Sequence, residues 1–149
     1  MVAAGEIASK GMAASVRKTF TVAPEVAGDA RGLVGDLLIA IGVPGETRGD
    51  VLLMLTELIT NAMVHGAAGQ PGLAIELLLY TDDKVIHVAV TDPGLGGTPE
   101  LREDLLADGG RGLRLVDALS DRWGHEAAEP AGCSVWFEVD HQYPRKVTP

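Results

Sequence analysis

The stretch ELITNAMVHG, residues 57–66, decides the fold because its polar residues recur at helical spacing. Glu57, Asn61 and His65 are four residues apart, which is just over one helical turn, so their side chains are expected to stack along one face. The apolar residues between them occupy core-facing positions of the same helix. A helix that belongs to the core therefore carries a carboxylate, an amide and an imidazole along one edge.

A solvated surface is the ordinary explanation for a polar helix edge. Solvated edges usually mix Lys and Arg with Glu, yet this helix, expected over residues 46–65, has no Lys, and its one Arg, Arg48, lies in the first turn. Asp50 falls near the same edge, and we expect it to be solvated at the helix start. The edge as a whole is more typical of a wall of a ligand pocket than of a solvated face.

Composition limits the class of protein. The chain has 149 residues, 46% hydrophobic and 22% charged, enough for one domain with its own core. A net charge of -9 argues against a nucleic-acid binder but not against a nucleotide site, which backbone donors and one Mg²⁺ can serve. The single cysteine, Cys133, excludes an intrachain disulfide and fits a reducing compartment. No apolar run is long enough for a membrane span, and no signal peptide is evident, so we expect a soluble, cytoplasmic protein.

The order of elements predicts an α+β fold. Residues 1–14 are expected to be a disordered tail, residues 15–141 one domain, and residues 142–149 a C-terminal tail. The hydrophobic pattern predicts helices layered on one face of a mixed, mostly antiparallel sheet. The expected elements are a strand at 15–22, a helix from Pro24 to Gly42, the helix at 46–65, strands at 73–80 and 84–92, a loop over 93–112, a helix at 112–123 and a final hairpin around residues 129–130.

Two glycine-rich segments follow the helix. VTDPGLGG, residues 90–97, ends a strand on Asp92, whose carboxylate can accept a hydrogen bond from an exocyclic amine while the glycines let the backbone approach a flat ligand. DGGRGLRLV, residues 108–116, opens a helix with glycines, and such a helix start offers N–H groups and a positive dipole end to a phosphate. Either segment alone occurs often by chance, as an ordinary turn or cap.

The order of the three segments is more specific. An E-x-x-x-N helix, then a strand ending in D-x-G-x-G, then G-x-G-L opening a helix resembles the N, G1 and G2 boxes of the histidine-kinase-like (GHKL) ATPase superfamily. The pattern E-x-x-x-N-A-x-x-H-G in particular is similar to that of small bacterial anti-sigma factor serine kinases. The resemblance covers roughly residues 15–140. It implies a two-layer sandwich of the Bergerat type that binds ATP with Mg²⁺.

The resemblance also implies a role for individual residues. Asn61 matches the Mg²⁺ ligand of the family, and Glu57 matches its catalytic carboxylate, proposed to act as a general base. Asp92 matches the adenine-binding aspartate. His65 either touches the phosphates or only caps the helix. The other matching positions are Gly94 and Gly96 at the base pocket, Gly110, Arg111, Gly112 and Leu113 at the phosphate-binding turn, and Ser134, where the family usually has a Thr near the adenine.

Three hypotheses for function follow from these residues and the resemblance. The first is an anti-sigma factor that is also a protein-serine kinase, which holds a sigma factor and phosphorylates a STAS-type anti-sigma antagonist. The second is a regulatory ATP-binding module without phosphotransfer, in which the variable lid between the glycine motifs orders when nucleotide binds. The third is a small α+β interaction domain with no ligand. The resemblance also leaves a homodimer open.

Overall fold

The computed structural model describes residues 14–95, 111–129 and 132–141. Both expected tails, most of the expected lid with its helical turn, Gly96 and Gly110 lie outside these ranges. The described elements in chain order are β1 (Ala14–Thr21), α1 (Val26–Ala40), α2 (Gly45–Asn61), a π-helical turn (Ala62–Gly66), β2 (Ala74–Thr81), β3 (Val85–Asp92), α3 (Arg111–Leu119), β4 (Arg122–Ala128) and β5 (Gly132–Asp140).

Within the described residues, five strands form one sheet in the order β1-β2-β3-β5-β4. All four pairings are antiparallel. The side chains of β2 are buried at every second position, as expected of strands with one face on a core. The helices pack on that face and leave the other open, so the predicted two-layer α+β architecture is confirmed.

Helix α2 is the centre of the helical layer. Its inward face contributes Val51, Leu55 and Ile59 to the core, and Met54, which sequence spacing had put on the polar edge, is fully buried as well. Helix α1 packs beside it, and Gly35 of α1 faces Leu52 of α2. A Cβ built at Gly35 would lie 3.5 Å from a methyl group of Leu52, an ordinary contact distance.

The last helix is shorter than predicted. We expected it to run to residue 123, but α3 ends at Leu119. Arg122 and Trp123 are already paired with Glu138 and Phe137 in the sheet, so strand pairing takes over at that point. Trp123 keeps a link to α3, because its indole N–H donates to Asp117 at 2.9 Å. Residues 122 and 123 therefore belong to strand β4, where Trp123 is partly buried, although the spacing of the sequence predicted a helix there.

The open face of the sheet carries a stacked aromatic row. The ring of His87 stacks on Tyr80, with centroids 4.6 Å apart, and on Trp136, at 5.7 Å. Glu138 lies 2.9 Å from the His87 Nδ1 and accepts a hydrogen bond of 2.9 Å from Arg122 Nε. Burial, together with nearby carboxylates, raises the pKa of the Tyr80 phenol. These contacts tie β2, β3, β5 and β4 together on the side without helices.

The carboxylates around Arg122 predict a pH dependence of stability. Burial alone raises the pKa of Glu138, but hydrogen bonds from Arg122 and His87 outweigh it, and the net pKa is lowered. The hydrogen bond from Arg122 also lowers the pKa of Asp140. A carboxyl with a lowered pKa in the folded state stabilises the fold at neutral pH and loses that contribution as the pH falls through its folded value.

Replacing Arg122→Gln should therefore lower the free energy of unfolding at pH 7 and change it less in acid. The difference from the unchanged protein is expected to shrink as the pH falls below about 4, where ordinary carboxyls protonate. Urea denaturation across this pH range measures it. Arg17→Gln, which breaks an exposed ion pair with Glu76 at 3.3 Å, is the control and should change stability little. A difference for Arg122→Gln that is independent of pH would contradict the electrostatic origin.

Candidate functional site

A small cavity lies where the end of α2 meets the sheet and the start of α3. Its volume is only about 10 Å³, close to the least that holds a single water molecule. Three residues that the sequence placed in one site, Asn61, Asp92 and Leu113, face this space together. The complete lining is Leu58, Asn61, Ala62, Val90, Asp92, Leu113 and Val135. A mostly apolar wall with one amide and one carboxylate suits a flat, weakly polar ring with a few hydrogen-bonding groups.

Asp92 closes the deep end of the cavity. It is the last residue of β3, and only 5% of its surface is exposed. Its Oδ1 accepts a hydrogen bond of 2.8 Å from the Gly94 N–H, which fixes the carboxylate two residues before a turn. Gly94 has a φ of +82°, a left-handed conformation that glycine adopts without strain. The predicted strand-terminal Asp therefore has a fixed orientation.

Gly66 presses against the same carboxylate from the helix side. A Cβ built at Gly66 would lie 2.0 Å from both Cγ and Oδ2 of Asp92, closer than side-chain atoms can approach. The Gly66 carbonyl also accepts a hydrogen bond of 2.8 Å from the Leu95 N–H. The residue expected only to end the helix thus joins the helix to the glycine turn.

The helix reaches Asp92 through a change in its winding. We expected α-helix as far as His65, but α2 ends at Asn61 and residues 62–66 form a π-helical turn. The Ala67 N–H donates to the Ala62 carbonyl at 2.8 Å, a bond across five residues. Such turns are often found at functional sites, where they change the direction of a helix end.

The polar edge of the helix contributes to the cavity unequally. Glu57, Asn61 and His65 are all partly buried, but of these only Asn61 lines the cavity. Glu57 lies one helical turn before Asn61, outside the lining. His65 belongs to the π-helical turn, next to Gly66. Asp50, expected to be solvated, is partly buried in the second turn of α2.

Ser134 does not join these residues. It lies on the open face of the sheet, where it accepts a hydrogen bond of 3.1 Å from Thr91. Side chains alternate along a strand, so the neighbouring Cys133 faces the helical layer together with Val135. Cys133 pairs directly with Asp92 and is 2% exposed. The alternation of β5, with apolar residues at 133, 135 and 137, could have shown from the sequence that Cys133, and not Ser134, faces the helical layer.

The segment that was predicted to bind phosphate is described in part. Arg111 and Gly112 are the first two residues of α3, and Leu113 is buried against the core. Gly96 and Gly110 lie outside the described residues. Helix α3 packs on α2, which brings the helix start predicted to bind phosphate to the same end of the fold as Asn61.

Among residues 14–95, 111–129 and 132–141, no group of three or more His, Cys, Asp or Glu side chains is placed to hold a metal ion. In the same ranges, every helix is too short or too polar to cross a membrane.

The helical layer on one face of an antiparallel sheet is the architecture of a GHKL-type domain. The model of the family described as histidine kinase-like ATPase domain matches residues 20–139. The chain belongs to this family.

Curated relatives are similar at low identity. An anti-sigma F factor from Geobacillus stearothermophilus is 25% identical over 127 residues, which cover 80% of this chain and 87% of that protein. The sensor histidine kinase AruS from Pseudomonas aeruginosa is 30% identical over 106 residues, or 58% of this chain. The matched region spans only 11% of that much longer kinase.

A solved structure shares the fold. The crystal structure of the RsbU and RsbW domains of Rv1364c from Mycobacterium tuberculosis superposes with a TM-score of 0.64 and 19% identity. The superposition covers 91% of this chain and 35% of the other. This similarity concerns the fold.

The contact between Gly66 and Asp92 predicts a large effect of one methyl group. Gly66→Ala should destabilise the fold by about 1–3 kcal/mol, because the new Cβ forces the π-helical turn away from the carboxylate. Gly49→Ala in α2 is the matched control: its Cβ meets nothing within 4 Å, and it should stabilise the fold by about 0.5–1 kcal/mol. Urea denaturation measures both. A Gly66→Ala protein as stable as the unchanged one would show that Gly66 does not constrain Asp92.

Proposed function

We propose that this protein binds ATP with Mg²⁺ and acts as an anti-sigma factor and protein-serine kinase that phosphorylates an anti-sigma antagonist. Membership of the histidine kinase-like ATPase family supports the nucleotide, and similarity to an anti-sigma F factor over 87% of its length supports the regulatory role. The observation that carries the proposal is that Asn61, Asp92 and Leu113 line one cavity, with Glu57 one turn from Asn61.

In this proposal the cavity opens to receive the adenine, because its volume of about 10 Å³ is close to that of one water molecule. The Asp92 carboxylate accepts a hydrogen bond from the exocyclic amine, while Leu58 and Val135 pack on the ring. Gly94 and Gly96 give the base room, and the segment of Gly110, Arg111 and Gly112 binds the phosphates at the start of α3. The buried carboxylate at the deep end explains a preference for adenine over guanine, since only adenine presents an amine at that ring position.

The residues present fit one Mg²⁺ held mainly by phosphates. An amide oxygen suits a hard cation, and Mg²⁺ commonly takes one or two protein ligands together with substrate phosphates and water. Asn61, partly buried at the cavity, would be that ligand. When bound, Mg²⁺ would neutralise charge on the phosphates.

The proposed transfer needs one base. Glu57 takes the proton of the substrate serine while the serine oxygen forms a bond to the γ-phosphorus. The bond from that phosphorus to the β–γ bridging oxygen breaks, and ADP leaves. A phosphate on the antagonist then adds roughly -1.5 to -2 charges to its contact surface and weakens its binding. The chain's own charge of -9 favours partner surfaces with basic patches.

A regulatory ATP-binding module without phosphotransfer is the second candidate. One observation favours it: Glu57 lies outside the lining of the cavity that Asn61 and Asp92 share. Nucleotide binding would then switch affinity for a partner by ordering the lid rather than by modifying the partner.

Two substitutions on α2 separate binding from transfer. Asn61→Ala should weaken ATP binding in the presence of Mg²⁺ by about ten- to hundredfold, as expected when a polar contact to a charged group costs about 1.5–3 kcal/mol. Glu57→Gln should keep ATP affinity and slow phosphate transfer by roughly 10²–10⁴-fold, the usual contribution of a general base. Calorimetry measures binding, and labelled ATP with candidate STAS antagonists measures transfer.

Exposed neighbours on the same helix provide the controls. Thr60→Ala and Glu46→Gln should leave binding and transfer unchanged. Clear ATP binding without transfer to any antagonist would favour the regulatory module over the kinase. Mg²⁺-dependent binding that survives Asn61→Ala would remove Asn61 from the metal site.

Cysteines on the two faces of β5 should differ in how much ATP slows their alkylation. Because Cys133 is the single cysteine, its alkylation reports on one site. ATP should slow alkylation of Cys133, which pairs with Asp92 beside the cavity. In a Cys133→Ser and Ser134→Cys double variant the thiol faces the open side of the sheet, and ATP should leave its rate unchanged. Mass spectrometry follows both rates.

A stability control is needed because ligands protect buried groups by stabilising the whole fold. Sucrose, added until it raises the melting temperature as much as ATP does, provides that control. ATP should protect Cys133 more than sucrose does. If ATP protects the thiol at position 134 more than sucrose does, Ser134 belongs to the nucleotide site.

A further inference from the structure

Strand β1 is the edge of the sheet on the side of α1. In the described part of the chain it has one neighbouring strand, β2, and all eight of its residues are in register with that neighbour. Natural edge strands are often shortened, bulged or covered, since their outward backbone groups can pair with another strand. This edge is long and regular.

The hydrogen bonds between β1 and β2 show which backbone groups of β1 face β2 and which face away from the sheet. Hydrogen bonding alternates along an antiparallel pair, and the Val22 N–H donates to the Leu73 carbonyl at 2.8 Å. Val22, Phe20 and Lys18 therefore direct their backbone groups toward β2. Thr19 and Thr21, in the opposite phase, direct their N–H and C=O groups outward.

A groove runs along this edge between β1 and α1. Its lining includes four consecutive strand residues, from Lys18 to Thr21, and the apolar side chains of Val26 and Leu33 on α1. Leu33 is among the exposed large hydrophobic residues of the protein. The groove can accept the side chains of an added strand that point toward the helical layer.

The charges of the groove are unevenly placed. Glu25 and Asp29 line it at the start of α1, beside the Thr21 end of β1. Lys18 lies farther back along the strand, with its Nζ 5.9 Å from the centre of the Phe20 ring. An antiparallel strand would begin beside Thr21, so its first residues would meet the two carboxylates.

We propose that the outer edge of β1 binds an extended peptide segment of a partner protein, which adds antiparallel to β1 as a further strand and carries basic side chains near its amino end. Main-chain hydrogen bonds to Thr19 and Thr21 supply affinity, and the pairing of basic side chains with Glu25 and Asp29 sets the direction. This surface lies apart from the nucleotide cavity, and the inference does not rest on the proposed function.

The test uses the full chain and two acetylated, amidated peptides of alternating valine and threonine. One has two lysines near its amino end, and the other has them near its carboxyl end. The first should slow amide hydrogen exchange at Thr19 and Thr21 by about tenfold or more at saturation, as exposed N–H groups enter hydrogen bonds. The second should bind more weakly. NMR spectra resolve the individual amides.

Two variants at one position provide the control. Thr19→Pro removes an outward N–H, which an edge strand tolerates, and should abolish binding while the amides of Lys18 and Phe20 stay protected. Thr19→Val keeps the N–H and should bind like the unchanged protein. Equal binding of the two peptides, binding that survives Thr19→Pro, or protection of Thr19 and Thr21 in the protein alone would each overturn the proposal.

Discussion

The approach of the Gly66 backbone to the Asp92 carboxylate is the contact on which the cavity depends. It joins the end of the central helix to the end of a central strand, with no room for a side chain between them. The hydrogen bonds from Gly94 to the carboxylate and from Leu95 to the Gly66 carbonyl hold the glycine turn to the same point. Helix, strand and turn are thus fixed together where the cavity closes.

Much of the fold could be predicted from hydrophobic spacing, because helices and strands with one buried face repeat their apolar residues regularly. The π-helical turn could not, since the contact that its last residue, Gly66, makes with Asp92 joins residues that are far apart in the sequence. Met54 was misplaced because helical spacing gives a direction around the axis but not the width of the buried arc. The end of α3 at Leu119 likewise depends on pairing with β5.

In the candidate site, the sequence motifs locate the region of each residue, and only the structure shows which side chains face the cavity. The spacing of Glu57, Asn61 and Asp92 assigned them to one region, and the cavity brings together Asn61 and Asp92 with Leu113. Ser134 was chosen for its hydroxyl, but a shift of one residue along a strand moves a side chain to the opposite face. The strand partner of Asp92 is therefore the thiol residue Cys133, and Ser134 lies on the other face.

The position of Glu57 constrains how a substrate protein would approach. Glu57 lies one turn before Asn61 and outside the cavity lining, so in the proposed reaction a serine would reach it along the partly buried edge of α2. The phosphate acceptor would then contact the helical layer, whereas an added strand would lie along β1. In that arrangement a sigma factor and its antagonist would contact different elements of the protein. Any competition between them would then be indirect, through the lid or α2.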